Sequence, residues 1–109
     1  MAKAQLEVLR SLAFGSISGS YAAVGAPLAN PCRLICITNN TDGDMLFSID
    51  GTNDHLFVGA GSFKLFDVQT NSRPVNEDEY VFRVGTQFYV KESTSPTTGD
   101  VYIEALYAS

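Results

Sequence analysis

Residues 100–107 read DVYIEALY, and this stretch decides the fold class. Val101, Ile103, Ala105 and Tyr107 fall at every second position. Successive side chains of a strand point to opposite faces, whereas a helix repeats its apolar residues at three and four. The alternation is therefore that of a β-strand. It recurs upstream. Residues 44–50 place Met45, Phe47 and Ile49 on one face, and residues 62–68 place Phe63 and Leu65 opposite Phe66 and Val68. Residues 79–84 align Tyr80, Phe82 and Val84, and residues 87–92 align Phe88 and Val90. Turn residues separate these runs: 39–43 after a strand at 33–38, then 50–54, 59–62 and 95–99. Gly85-Thr86 suits a two-residue hairpin, because glycine accepts the positive φ such turns require. The pattern predicts an all-β domain, an antiparallel β-sandwich (jelly-roll- or immunoglobulin-like) of about eight short strands.

The chain has 109 residues, enough for a single domain with its own core. Charged residues make up 17% of it, against a norm of about 25%. Seven basic and 12 acidic residues give a net charge of −5. Duplex nucleic acid is excluded as a partner, since its affinity comes largely from Lys and Arg neutralising phosphates. No apolar run approaches the roughly 18 residues of a membrane-spanning helix, so no membrane partner is expected. The opening MAKAQLEVLRSLAF carries Glu7 and Arg10 where a secretory signal would be apolar, so a chain made and kept in the cytoplasm is expected. Two strands are apolar on both faces. Tyr102 and Leu106 lie opposite Val101 and Ile103, and in CRLICIT (32–38) Leu34 lies opposite Ile35 and Ile37. A small, weakly charged chain with such strands needs cover for part of its surface, and an oligomer is the expected solution.

The N-terminal residues divide the chain into a strand or arm at 1–14 and a β-sandwich domain at 15–109. Residues 4–14 admit two readings. As a helix, Leu6, Leu9 and Ala13 form a stripe of good helix formers. As a strand, Leu6, Val8, Leu12 and Phe14 alternate, interrupted by Arg10. The strand is favoured because the run ends in Phe-Gly-Ser-Ile-Ser without a cap. Residues 15–26 are small and Gly/Ser-rich, anchored by Tyr21 and Val24 in one irregular strand. An arm ahead of such a connector is suited to completing a neighbour's sheet edge. Leu6, Val8, Leu12, Phe14, Tyr102 and Leu106 are accordingly the candidate partner-interface residues.

Catalytic chemistry finds little support. His55 is the only histidine, and no G-x-S-x-G context presents a serine to it. Asp42, Asp44, Asp50 and Asp54 lack the order of a calcium-binding loop and read as turn chemistry. Asp67 and Glu104 are not brought together by any pattern. Cys32 and Cys36, four residues apart on a strand, lie about 13 Å from each other. Bridged cysteines need Cα atoms within about 7 Å, so both are expected as buried, reduced thiols acting as small hydrophobes. No catalytic residue, cofactor or metal is expected. The alternative is a carbohydrate- or receptor-binding β module, with loop Asp and Asn residues beside a tyrosine platform.

The phrases SLAFGSISGSYAAVG, NPCRLICITNNTDGDMLFSIDGTNDH, GAGSFKLFDV and VYIEALYA, spread over residues 9–108, resemble small structural proteins of tailed-bacteriophage virions. The resemblance implies a non-enzymatic β-sandwich that decorates the capsid or sits at a head–tail or tail–fibre junction. It implies partnership with itself and with other virion proteins, and a place in the virion after assembly in the host cytoplasm. It carries no catalytic residues.

Overall fold

The structure is a computed structural model that describes residues 4–67 and 82–108. Its strands are β1 (Ala4–Leu6), β2 (Arg10–Ala13), β3 (Ala22–Ala23), β4 (Leu34–Thr41), β5 (Met45–Ser48), β6 (Leu56–Val58), β7 (Phe63–Asp67), β8 (Tyr89–Glu92) and β9 (Gly99–Ala108). A single 3-10 turn, Phe14–Ser16, follows β2. One sheet runs β1–β9–β4–β7, with β2 also paired to β9; the other runs β3–β8–β5–β6. Every pairing between these strands is antiparallel. The two sheets pack as a sandwich, as the alternation predicts.

The centre is the β4–β9 ladder, in register from Leu34↔Leu106 to Thr41↔Gly99. Paired residues of an antiparallel ladder share a face. Ile35 with Ala105, Ile37 with Ile103 and Asn39 with Val101 therefore point inward, and all are buried. They meet Met45, Phe47, Val58 and Val90 of the second sheet. Val24, Leu28, Cys32 and Phe88, from the connections, complete the core. Fully burying side chains of this size contributes about 1.5–3 kcal/mol each.

Asn39 is the polar exception inside. Its Nδ2 donates to the carbonyls of Gly43 at 2.8 Å and of Val58 at 2.9 Å, the latter on the opposite sheet. Its Oδ1 accepts from Thr41 N at 3.1 Å and lies 2.6 Å from the Thr41 hydroxyl. A buried amide satisfied on both sides is tolerable, and here it ties the sheets together at one end.

At the edge of β9 the N-terminal segment carries a β-bulge. Leu6 pairs with Leu106 and Arg10 with Ile103, so four steps along one strand face three along the other. The extra residue reverses the alternation and turns both Glu7 and Arg10 inward. Arg10 Nη2 bonds Glu7 Oε1 at 2.9 Å, with side chains 7% and 3% exposed. Arg10 also donates to the carbonyls of Ala26 (2.6 Å), Val8 (2.7 Å) and Pro27 (2.8 Å). Glu7 accepts from Asn30 Nδ2 at 2.7 Å and Ala29 N at 3.2 Å. Burial pushes the Glu7 carboxyl up, but the bonds from Asn30, Ala29 and Arg10 outweigh it and hold it below its ordinary range.

Several local expectations are corrected. β4 continues through Asn39, Asn40 and Thr41, because Asn39 and Thr41 find buried partners. β5 stops at Ser48, and Ile49 is exposed, because Ser48 and Asp50 divert the chain into a turn. Of the expected strand 79–84, residues 79–81 lie outside the described residues. Phe82 makes an isolated bridge to Cys32, and Val84 is exposed. Gly85, at φ 90°, lies in a turn closed by Thr86 N on Arg83 O, not in a hairpin between paired strands. Cys36 is on the outer face of β4 and only half-buried, whereas Cys32 is enclosed.

Glycine tolerance separates two positions with similar backbone. A Cβ at Gly99 (φ 96°) would lie 2.0 Å from the Asn40 carbonyl oxygen, whereas one at Gly85 would meet nothing within 4 Å. We expect Gly99→Ala to prevent folding or lower the urea midpoint severely, while Gly85→Ala costs about 1 kcal/mol. Equal losses would contradict the register at this ladder end. Arg10→Met should cost about 3–5 kcal/mol by leaving the Glu7 charge buried without its partner. Glu7 titrates lower in the folded state than its ordinary 4.5. Its stabilisation is thus present above that pH and lost as the pH falls through and below it. Urea melts across this acid range should show a shallower pH dependence for Glu7→Gln than for wild type.

Candidate assembly surface

The β4–β9 register that fills the core also decides what faces outward. Leu34, Cys36 and Thr38 pair with Leu106, Glu104 and Tyr102 on one side, and with Asp67, Leu65 and Phe63 on the other. Leu6 extends the first row, beside Leu106, and Ser11 extends the row of Tyr102. The result is a broad sheet face of mainly apolar side chains. Leu6, Phe63 and Leu65 are 74%, 63% and 55% exposed. Leu34, Cys36, Tyr102 and Leu106 are half-buried by their neighbours. A contiguous apolar patch on a small domain marks an interaction surface more often than a scattered one does.

The six interface candidates divide on this geometry. Leu6, Tyr102 and Leu106 lie on the outer face, and exposed Val8 sits on the bulge beside it. Leu12 pairs with Val101, turns inward and packs against the core. Phe14 belongs to the 3-10 turn after β2 and is exposed, outside the paired rows of the face. The bulge is the cause, since it shifts the alternation between Leu6 and Leu12. Phe63 and Leu65 belong to the face but were not among the candidates. Residues 62–68 are apolar on both sides, so alternation alone gives no choice of outer face.

The titratable groups of the loops are consumed locally. Asp50 Oδ1 accepts from Ser48 Oγ and from the N–H groups of Thr52 and Asn53, each at 2.8 Å. These bonds, led by that from Asn53 N–H, hold the Asp50 carboxyl well below its usual range. His55 Nδ1 accepts from Ile49 N at 3.1 Å, which places its proton on Nε2. Ser48 is buried and donates to Asp50, so the Ser48–Asp50–His55 group is a turn lock. Asp42 is held down mainly by the Thr97 hydroxyl and by the Thr97 N–H at 2.6 Å. Asp44 accepts from Ala60 N at 3.0 Å. Asp54 accepts from Tyr21 Oη at 2.5 Å and pairs with Lys91 at 3.1 Å. Asp42 and Asp50 lie beyond opposite ends of β5, so the turns at 39–44 and 50–54 do not share one end of the sandwich. Among the described residues no cluster of His, Cys, Asp and Glu could hold a metal ion. Lys91 Nζ sits 4.8 Å over one face of the Tyr21 ring.

Between the sheets lies a cavity of about 220 Å³, lined by Ile35, Ile37, Leu56, Phe66, Phe82 and Phe88, with Ile49 and the His55 ring. Phe66 and Phe82 meet edge to face at 6.4 Å. Among the described residues the lining is apolar apart from His55 and holds no set of groups for acid–base work.

Comparison with known proteins bears on the fold. No protein-family model matches the chain, and no curated protein matches it. Among solved structures, a chain of the cyanophage Pam1 capsid asymmetric unit is similar at a TM-score of 0.56 and 13% identity, over 98% of this chain and 85% of that one. A chain of Bacillus endospore appendages, described as disulfide-linked pili, is similar at 0.52 and 12% identity, over 98% and 89%. At such identities the likeness is one of fold. The sandwich architecture is thus shared by subunits of two kinds of assembly.

Thiol chemistry reports on the outer face. Burial, then the Glu7 charge, pushes the Cys32 thiol up to about 11. Cys36 is half-exposed in the middle of the patch. At pH 8 a maleimide should label Cys36 within minutes and reach Cys32 only on unfolding. Rapid modification of both in the native protein would contradict the enclosed placement of Cys32.

Proposed function

We propose that this chain is a non-enzymatic structural protein of a virion, assembling with copies of itself and with other virion proteins. Its place is capsid decoration or a head–tail or tail–fibre junction. The observation that carries this reading is the exposed apolar outer face of β1, β9, β4 and β7. A domain with that much uncovered sheet is suited to life in an assembly. The fold shared with a chain of a phage capsid unit supports the reading, as does the sequence resemblance to tailed-phage structural proteins. The carbohydrate-binding alternative has less support, because the loop carboxylates of Asp42, Asp50 and Asp54 are already engaged by groups of the chain itself. With a C-terminal tag on the gene in its native genome, the chain should band with purified particles on a density gradient at a fixed copy number. Recovery only as free protein, or in cell-surface filaments, overturns the reading.

Residues 1–14 act, in this proposal, as an arm that bridges to neighbours. The β2–β9 pairing has the same geometry within a chain or between chains, and the Gly/Ser-rich residues after Phe14 supply the hinge. Ser11 and Tyr102 are cross-strand partners. A mixture of Ser11→Cys chains and Tyr102→Cys chains, both on a background with the native cysteines replaced by serine, should form a disulfide-linked heterodimer. Its absence under oxidising conditions, with the double variant bridging internally, sinks the arm.

A further inference from the structure

We propose that the outer face of the β1–β9–β4–β7 sheet docks a different protein, one presenting an apolar surface with a lysine or arginine placed against Glu104. The inference rests on the virion reading and specifies the partner of that surface. The charge pattern carries it. On this face the charged strand residues are Glu104, Asp100 and Asp67, and none is cationic. Asp100 accepts from Tyr102 Oη at 3.1 Å. Glu104 belongs to none of the ion pairs among the described residues and stays exposed. It stands between the Leu6–Leu106–Leu34 row and the Tyr102–Thr38–Phe63 row, where apolar contacts on either side would enclose it.

A carboxylate taken out of water without a counter-charge is strongly unfavourable. Whatever covers Leu34, Leu65 and Leu106 must therefore bring a cation to Glu104. A second copy seated on the same face brings its own Glu104 and no strand cation to meet it. Like charges opposed in a poorly solvated contact repel strongly, and the net charge of −5 on each chain adds to the repulsion. Contacts between copies are accordingly left to other surfaces, and this face to a basic, apolar partner.

Cys36 is the cross-strand neighbour of both Glu104 and Leu65, so its labelling rate reports whether the face is covered. The experiment uses the full tagged chain, free and in purified particles. The free chain should label at one rate from micromolar to millimolar concentration. Incorporation should slow Cys36 labelling at least tenfold. Glu104→Lys should lower particle occupancy at least tenfold, and Glu104→Gln less, with the melting temperature of the free chain unchanged. Incorporated chain that still labels at the free rate overturns the docking face and leaves the virion reading intact. Protection combined with occupancy raised by Glu104→Gln, which removes the like charge from both copies, means that a second copy covers the face, and overturns the proposal. A chain absent from particles overturns the virion reading and this inference with it.

Discussion

Everything in this molecule follows from the register of β4 against β9. The ladder is the longest in the structure and lies at the centre of its sheet, so it assigns every side chain on both strands to one of two sides. A shift of one residue would turn one strand over against the other, and with β9 the one turned, Val101, Ile103 and Ala105 would go to solvent while Glu104 and Leu106 came inside. Glu104 makes that alternative untenable, because a buried carboxylate has no partner there. The charge that marks the outer face therefore also guards the register. At the far end, Gly99 allows the strands to approach beside Asn40, and Asn39 ties the ladder to Val58 of the second sheet.

The second constraint is the N-terminal bulge. An arginine and a glutamate three residues apart cannot both face inward on a regular strand, whose period is two. The inserted residue solves this and turns the pair toward Ala26, Pro27, Ala29 and Asn30. The connection from β3 to β4 offers backbone groups that no strand satisfies, and the pair satisfies them. A buried ion pair alone is weak evidence of stability, since desolvation offsets much of its attraction. Here its value lies in closing the loop, by tying the carbonyls of Ala26 and Pro27 and the N–H of Ala29 to the N-terminal segment. The same bulge leaves Leu6 and Val8 outward while Leu12 packs inside.

Much of the architecture was legible in the chain. Alternation at Met45 and Phe47, and at Val101, Ile103 and Ala105, identified the core faces, because those strands are apolar on the side that is buried. Reading failed where a strand offered two apolar sides or a polar residue found a buried partner. Residues 63–66 gave no choice of face. Asn39 and Thr41 look like turn residues and are strand residues, since their side chains bond each other and Gly43. Tyr102 and Leu106 were recognised as surplus apolar residues, and they do lie outside. Leu12 was not separable from Leu6, because a bulge leaves no mark in a hydrophobic pattern.

The sequence by itself determined the period, the low charge and the poverty of catalytic groups, all properties of residue type and spacing. These dictate a β-sandwich with more apolar side chains than one small core encloses. Only the tertiary structure decided which of them are left over. That choice depends on pairing between strands distant along the chain, on one extra residue opposite β9, and on the polar bonds of Glu7, Arg10 and Asn39. Such contacts are non-local, and no periodicity within a single strand encodes them.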